Sequence, residues 1–174
     1  MKPLEEIYNL LKEIFKDDVK ELVKQPIDSY ILCDPLKINE ISLFLLCNVD
    51  LLFDNLMNLS GVDDANGKSS ITEGINTIEG GTLSVYYHLE STKFRHKVVL
   101  RVSTPREKPE ASSVALVWRA ADWHEREAFD LLGINFLNHP DLRRILMPYD
   151  WEAGYPLRKD YSNPEFYHGM KVPY

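Results

Sequence analysis

Hydrophobic positions recur with two different periods in the first part of the chain, and these periods predict its first helices and strands. Between Pro3 and Phe15 apolar residues recur at spacings of three, four and seven, which predicts an amphipathic helix with one buried face. The β-prone runs Val19–Val23 and Ser29–Cys33 flank a turn-forming Gln-Pro-Ile-Asp sequence, so they predict two short strands. Asp34-Pro35 predicts the N-cap and first position of a second helix that ends near Leu46.

The middle of the chain predicts more strands and one long loop. The leucine-rich segment 51–57 is predicted as a short further helix that leads into a strand over Asn58–Asp63. Residues 65–81 are rich in Gly, Ser, Asn and Thr and predict a surface loop. Leu83–Leu89 and Phe94–Val102 predict a hairpin, because apolar and polar residues alternate there. The element order predicts an α+β fold in which helices cover a small mixed sheet.

Residues 122–133 predict a short and heavily charged helix. Asp122 is the predicted N-cap, Glu125 completes a capping box with it, and Gly133 is the residue with positive φ that ends the helix. Three charges at every fourth position, expected to support one another, lie opposite the apolar arc: Asp122, Arg126 and Asp130. Trp123 falls on this charged side. His124 and Glu125 fall within the apolar arc, so at least one needs a polar partner if it is buried.

The segment after this helix combines prolines with aromatic rings. Five of the ten prolines lie from Pro140 onward, and they interrupt helices and strands. The same segment carries seven rings, which need a surface to lie against: Tyr149, Trp151, Tyr155, Tyr161, Phe166, Tyr167 and Tyr174. The sequence therefore predicts an α+β domain at residues 1–133 and an extended irregular arm at residues 134–174 that docks on another protein. Packing of the arm on its own domain is the alternative.

Composition narrows the classes of partner. The formal net charge is −7 over 174 residues, and no block of basic residues occurs, which argues against nucleic acid or an anionic lipid surface as the main partner. Apolar runs are too short to span a bilayer, and the N-terminal pattern is that of an acidic helix rather than a signal peptide. Cys33 and Cys47 both sit in apolar runs and predict buried small side chains in a reducing compartment.

The residues with potential for catalysis form no complete motif. His124-Glu125 begins like a zinc-protease helix, but the second histidine of His-Glu-x-x-His would fall at Ala128. Lys68-Ser69 lacks the first glycine of a phosphate-binding loop, and neither cysteine accompanies a base. The sequence therefore predicts no catalytic, cofactor-binding or metal-binding residues.

The charges in and after the charged helix suit a docking role better. Arginine and carboxylate pairs can hold an irregular segment to a helix with defined geometry. An ordinary solvated charged face is the alternative. The predicted docking residues lie on the helix and along the arm: Trp123, Arg126, Glu127, Asp130, His139, Arg143, Arg144, Trp151, Arg158 and Lys159.

Three motifs carry a close resemblance to a known family. They are Glu-Arg-Glu-x-Phe-Asp-Leu at 125–131, His-Pro-Asp-Leu-x-Arg-Ile-Leu at 139–146, and Tyr-Pro-Leu-Arg-Lys-Asp-Tyr at 155–161. Together they resemble the C subunit of respiratory complex I, which is called NuoC in bacteria, NdhJ in chloroplasts and the thirty-kilodalton subunit in mitochondria. Arg119 and Asn138 depart from the proline and glycine usual in the family at these positions.

The resemblance implies a non-catalytic subunit of the peripheral arm of a proton-pumping NADH:quinone oxidoreductase. It implies that FMN and iron–sulfur clusters belong to partner subunits, and that this chain contacts the hydrogenase-like D subunit, the iron–sulfur B subunit and the I subunit. It also implies a peripheral position on the cytoplasmic face of the bacterial inner membrane. The arm is expected to lie across the hydrogenase-like D subunit.

Two other interpretations stay open at the level of sequence. The same fold could serve a ferredoxin-dependent photosynthetic complex or a membrane-bound hydrogenase. A free-standing metal-dependent enzyme would use His124, Glu125 and His139.

Overall fold

The computed structural model describes residues 2–72 and 75–172 and shows an α+β fold. The described part contains three α-helices: α1 (Leu4–Phe15), α2 (Ile38–Cys47) and α3 (Ala121–Leu132). Its strands, in chain order, are β1 (Val19–Val23), β2 (Tyr30–Cys33), β3 (Asn55–Asp63), β4 (Lys68–Thr72), β5 (Ile75–Glu79), β6 (Thr82–Glu90), β7 (Lys97–Pro105), β8 (Glu110–Ser112), β9 (Asn135–Leu137), β10 (Phe166–Tyr167) and β11 (Met170–Lys171). No helix in the described ranges is long and apolar enough to cross a membrane.

A five-stranded mixed sheet in the order β1-β2-β7-β6-β3 forms the centre of the fold. β2 pairs with β7 in parallel, and the other neighbours are antiparallel. The predicted hairpin is confirmed as β6 and β7. Val98, Leu100 and Val102 alternate inward from β7 and are buried, because every second side chain of a strand points to the same face.

The helices supply the rest of the core. The first predicted helix is confirmed, with Ile7 and Leu11 fully buried. α3 packs across β3 at Gly61, where a Cβ atom would lie only 2.6 Å from Leu132 Cδ1. The absence of a side chain at Gly61 therefore permits the close approach of helix and strand.

The second helix begins later than predicted. Asp34 Oδ1 accepts a hydrogen bond from the Leu36 N–H at 2.8 Å, which forms a turn, and the helix starts only at Ile38. The Asp34 side chain thus satisfies a backbone donor ahead of the helix instead of capping it. Cys33, just before this turn, is buried as predicted, but Cys47 is exposed at the last position of α2, so its predicted burial is wrong.

The predicted helix over 51–57 is wrong, since a turn ends near Leu51 and β3 begins at Asn55. Asp54 accepts a hydrogen bond from the Thr92 N–H at 2.8 Å, which ties the start of the strand to the β6–β7 turn. Leu56 is buried opposite Leu89 of β6. Pairing with β6 therefore overrides the local helical preference of leucine.

The predicted surface loop at 65–81 is also wrong, because it contains the antiparallel hairpin of β4 and β5. The Ser70 and Thr77 hydroxyls form a cross-strand hydrogen bond of 2.8 Å. Polar residues can form such a ladder without a hydrophobic pattern, which is why periodicity does not reveal it. Lys68 and Ser69 lie in β4.

Residues just after α3 belong to the same core. β9 pairs in parallel with β8, and both Ile134 and Phe136 are buried. The division of the chain at residue 133 stays a prediction. The long irregular segment begins beyond β9.

Candidate docking surface

The start of α3 differs from the predicted capping box, while its end is as predicted. The N-cap position is Ala120, which makes no side-chain capping bond, and Asp122 lies inside the helix. Glu125 turns inward: its carboxylate accepts hydrogen bonds from the Ser113 hydroxyl at 2.6 Å and from the Val114 N–H at 2.7 Å. Gly133 has φ +77° and ends the helix in the left-handed conformation.

Glu125 is fully buried and has two hydrogen-bond donors as partners. This confirms the expectation that a buried polar residue of the apolar arc would have a polar partner. Burial raises the pKa of Glu125 to about 7, although the bonds from Ser113 and Val114 act to lower the pKa. The His139 Nε2 lies 3.8 Å from Glu125 Oε2 and 3.2 Å from the Asp122 carbonyl oxygen. Since His139 Nδ1 accepts a hydrogen bond from the Asp141 N–H, the neutral ring carries its proton on Nε2.

Asp130 fastens the start of the irregular segment to α3. It is fully buried and binds Arg144 Nη1 at 2.8 Å. One of its oxygens also accepts hydrogen bonds from three consecutive backbone N–H groups: those of Ile145, Leu146 and Met147, at 3.1, 2.8 and 2.8 Å. Burial acts to raise the pKa of Asp130, but these bonds lower the pKa below its ordinary value.

Arg126 also contacts the arm. Its Nε donates to the Arg143 carbonyl oxygen at 3.2 Å, and its guanidinium lies 4.8 Å from the centre of the Trp123 ring. Among the described residues no ion pair joins Arg126 to Asp122 or Asp130. The expectation that these charges support one another along the helix is therefore wrong, because Arg126 and Asp130 each bind the arm.

A second attachment holds the arm further along. Arg106 Nη1 binds Asp63 at 2.6 Å, and Arg106 Nη2 binds Asp160 of the arm. The Lys159 N–H donates to the same Asp63 carboxylate at 2.8 Å. Burial acts to raise the pKa of Asp63, but the bonds from Arg106, Lys159 and Ala65 lower the pKa overall. Sequence reasoning missed Asp63 and Arg106 because 43 residues separate them and neither lies in a motif.

The C-terminus of α3 forms the third attachment. The Leu157 N–H donates to the Leu131 carbonyl at 3.0 Å, and Arg158 Nε donates to the Leu132 carbonyl at 2.7 Å. The Tyr155 ring lies where a side chain at Gly133 would be. The arm thus satisfies helix-end carbonyls that have no partner within α3.

Large apolar side chains of the fastened arm nevertheless point outward. Tyr149 is 91% exposed, Trp123 of α3 is 62% exposed, and Leu146 is also exposed. Trp123 and Tyr149 line one groove together with Arg126, Phe129, Leu142 and Arg143. We call this groove with its exposed rings the α3–arm groove.

The remaining predicted docking residues have different surroundings. Glu127 is exposed on α3, and Arg143 is mostly exposed beside Asp141, with 2.9 Å between Nε and Oδ2. Trp151 donates from Nε1 to the Gly154 carbonyl at 3.0 Å, and its ring lies 5.5 Å from the Tyr167 ring. No group of three or more His, Cys, Asp or Glu side chains in the described ranges is arranged to hold a metal ion.

A family model and several individual proteins that are similar to this chain all indicate the same family. The family described as "Respiratory-chain NADH dehydrogenase, 30 Kd subunit" matches residues 31–167. The NADH-quinone oxidoreductase C subunit of Chloroherpeton thalassium is 41% identical over 174 residues, which covers 99% of this chain and 66% of that protein. The corresponding C subunit of Chlorobium phaeobacteroides is 39% identical, and the alignment covers 96% and 93% of the two chains. The chloroplast NAD(P)H-quinone oxidoreductase J subunit of Lemna minor is 49% identical over 92 residues, or 51% of this chain and 58% of that protein.

Two solved structures share the fold. The trypsin-resistant fragment (1–134) of Nqo5 aligns with a TM-score of 0.56 and 23% identity over 77% of this chain and 97% of the fragment. A chain of an archaeal membrane-bound sulfane sulfur reductase aligns with a TM-score of 0.52 and 17% identity over 91% and 85% of the two chains. Because the family match spans most of the chain and both bacterial relatives carry the same name, the chain belongs to the family of the 30 kDa subunit, or C subunit, of respiratory-chain NADH dehydrogenase.

Proposed function

We propose that this chain is a non-catalytic subunit of the peripheral arm of a proton-pumping NADH:quinone oxidoreductase, where it holds the quinone-reducing module together. One observation carries the proposal: the C-terminal arm is fastened at its root by buried Asp130, while Trp123 and Tyr149 of the α3–arm groove remain exposed. A segment fixed in this way presents its rings with little loss of conformational freedom on binding.

The composition of the groove supports a protein partner. Aromatic residues and arginine are enriched in the energetically dominant centres of protein interfaces. The α3–arm groove combines Trp123 and Tyr149 with Arg126 and Arg143. In this proposal the arm lies across the hydrogenase-like D subunit, and the iron–sulfur B subunit and the I subunit are nearby. The assembly would sit peripherally on the cytoplasmic face of the bacterial inner membrane.

The proposal assigns FMN and iron–sulfur clusters to partner subunits. The cysteine environments support this assignment. Iron–sulfur clusters need thiolates, but burial raises the pKa of the Cys33 thiol to about 12, which keeps it protonated. Cys47 is exposed on a different element, α2.

The electron donor of the assembly has a second candidate. The family resemblance of the sequence also allows a ferredoxin-dependent photosynthetic complex or a membrane-bound hydrogenase. The purified parent complex separates the two, since either NADH or reduced ferredoxin will reduce its clusters.

Replacement of the exposed rings tests the docking role. We expect Trp123→Ser and Tyr149→Ser to reduce the amount of assembled complex, with a loss of affinity of about tenfold or more, because buried aromatic anchors dominate interface energies. Turnover per assembled complex should not change. Native gels quantify assembly, and NADH:quinone activity per assembled complex quantifies turnover.

Ile27→Ser is the matched control. Ile27 lies between β1 and β2 and is as exposed as Tyr149, at 91%. It should leave assembly unchanged. Full assembly of the Trp123 and Tyr149 variants, combined with reduced turnover, would show that the groove serves chemistry rather than docking.

A further inference from the structure

Arg158 is a half-buried arginine whose position is fixed on two sides. Its Nε donates to the Leu132 carbonyl at 2.7 Å, and the centre of its guanidinium lies 4.5 Å from the centre of the Tyr155 ring. The stack and the Nε bond together orient the plane of the guanidinium. Among the described residues its two terminal amino groups make no hydrogen bond or ion pair.

The nearby carboxylates already have other partners. Asp63 and Asp160 both bind Arg106. Within residues 2–72 and 75–172, no carboxylate lies within ion-pair distance of Arg158. Burial, and then the positive charge of Arg106, lowers the pKa of Arg158, although Asp160 and Asp63 act in the opposite direction at longer range. A partly buried charge without an anionic partner is costly, so this site favours an additional anion.

The surroundings of Arg158 leave room for such an anion. Arg158 lines a cleft of the arm together with Gly154, Tyr161 and Ser162. A side chain at Gly154 would meet only Tyr161, at 3.9 Å, which shows that the cleft is open there. Tyr161 and Ser162, which also line the cleft, carry hydroxyl groups that can act as hydrogen-bond donors.

We propose that the terminal amino groups of Arg158 bind the carboxylate of an Asp or Glu side chain from a neighbouring subunit. The inference rests on the proposed function, since it requires a protein partner for the arm. The planar fork of a guanidinium matches the two oxygens of a carboxylate. Asp160 lines the same cleft, and its negative charge disfavours a doubly charged phosphate relative to a single carboxylate.

A purely structural role for Arg158 makes a different prediction. Arg158 also satisfies a carbonyl at the end of α3, which is a helix-capping role. If capping were its whole contribution, replacement would destabilise the chain by itself and weaken assembly only as far as the fold is lost. If Arg158 receives a carboxylate, replacement weakens association in a chain that remains folded.

Two variants of the full chain separate these roles. Arg158→Met keeps the aliphatic stem and removes the charge, whereas Arg158→Lys keeps the charge and removes the fork. We expect both to lower the urea midpoint of the isolated chain by a similar small amount, because both lose the Nε bond to the Leu132 carbonyl. We expect Arg158→Met to bind the rest of the complex about tenfold or more weakly, with a reduced dependence on salt, and Arg158→Lys to bind with intermediate strength. Arg119→Met removes an exposed charge outside the arm and serves as the control.

A charge exchange identifies the partner residue. Arg158→Glu should abolish association, and one Asp→Arg or Glu→Arg replacement in the neighbouring subunit should restore it. The inference is overturned if Arg158→Met binds as wild type, or if Arg158→Met and Arg158→Lys, which both lose the Nε bond, weaken binding equally. If only the Trp123 and Tyr149 variants weaken assembly, the docking function stands and the carboxylate site does not; if none of the variants does, both fail.

Discussion

Glu125 and Asp130 are two fully buried carboxylates on one helix, and their surroundings shift their pKa values in opposite directions. Glu125 accepts one hydroxyl and one backbone bond and lies 3.8 Å from His139 Nε2. Asp130 accepts three backbone N–H bonds and the charge-assisted bond of Arg144. Burial therefore outweighs two donors at Glu125, whereas four donors, one of them charged, outweigh burial at Asp130 and favour its ionised form.

Glu125 should make stability fall as pH rises. The folded chain retains the Glu125 proton up to about pH 7, whereas the unfolded chain releases it near pH 4.5. Between these values the folded state binds more protons, so the free energy of unfolding decreases with increasing pH. The side chain of Glu125→Gln cannot ionise. We therefore expect its free energy of unfolding to fall over this pH range by up to about 3 kcal/mol less than that of the wild type. Urea unfolding of the isolated chain between pH 4.5 and 8 measures the effect.

Glu127→Gln provides the control, because Glu127 lies on the same helix and is exposed. It should leave the pH dependence unchanged. If the free energy of unfolding changed with pH in the same way for the wild type and Glu125→Gln, the pKa of Glu125 in the folded chain would not be raised.

At the scale of elements, the end of α3 connects the helix to the arm. Gly133 adopts φ +77°, and the Tyr155 ring covers the position where a Cβ atom would project. Leu131 and Leu132 offer their carbonyl oxygens to Leu157 and Arg158. The segment Leu131–Gly133 therefore both ends the helix and forms the surface that the arm contacts.

Gly133→Ala should loosen this connection. The variant combines the strain of a positive φ with a collision against Tyr155, and we expect a loss of about 2–3 kcal/mol in the free energy of unfolding. Gly169→Ala is the matched control, since Gly169 has φ +75° and nothing within 4 Å of its Cβ position. Urea titration should show a clearly larger loss for Gly133→Ala. Equal losses would mean that the Tyr155 contact contributes nothing.

At the scale of the molecule, the folded domain and the arm share three attachments, centred on Asp130, on Arg106 with Asp63, and on the end of α3. The first lies before residue 148, and the other two use residues beyond it. Loss of residues 148–174 would leave the Asp63–Arg106 pair intact within the domain.

Deletion of residues 148–174 should therefore preserve the fold and abolish partner binding. We expect a helix and strand content close to that of the full chain by circular dichroism. Retention by the hydrogenase-like D subunit in a pull-down should be lost, because Tyr149 and the Arg158 cleft are removed. Unchanged retention would exclude the arm from the interface.

The sequence by itself determined the elements whose cause is local. The amphipathic pattern of α1, the alternation of β6 and β7, and a glycine able to end α3 at residue 133 depend only on neighbouring residues. The three motifs from Glu125 to Tyr161 likewise identified the family correctly, because each is a contiguous pattern.

Only the tertiary structure decided the features that join distant residues. Leu56 lies in a strand because it pairs with Leu89 on β6. The polar segment at 65–81 contains a hairpin that cross-strand hydrogen bonds hold together. Glu125 turns away from the helix start because Ser113 and Val114 supply buried donors. The Asp63–Arg106–Asp160 cluster spans almost 100 residues of chain, and no local periodicity encodes the contact of side chains that only the packed sheet and arm bring together.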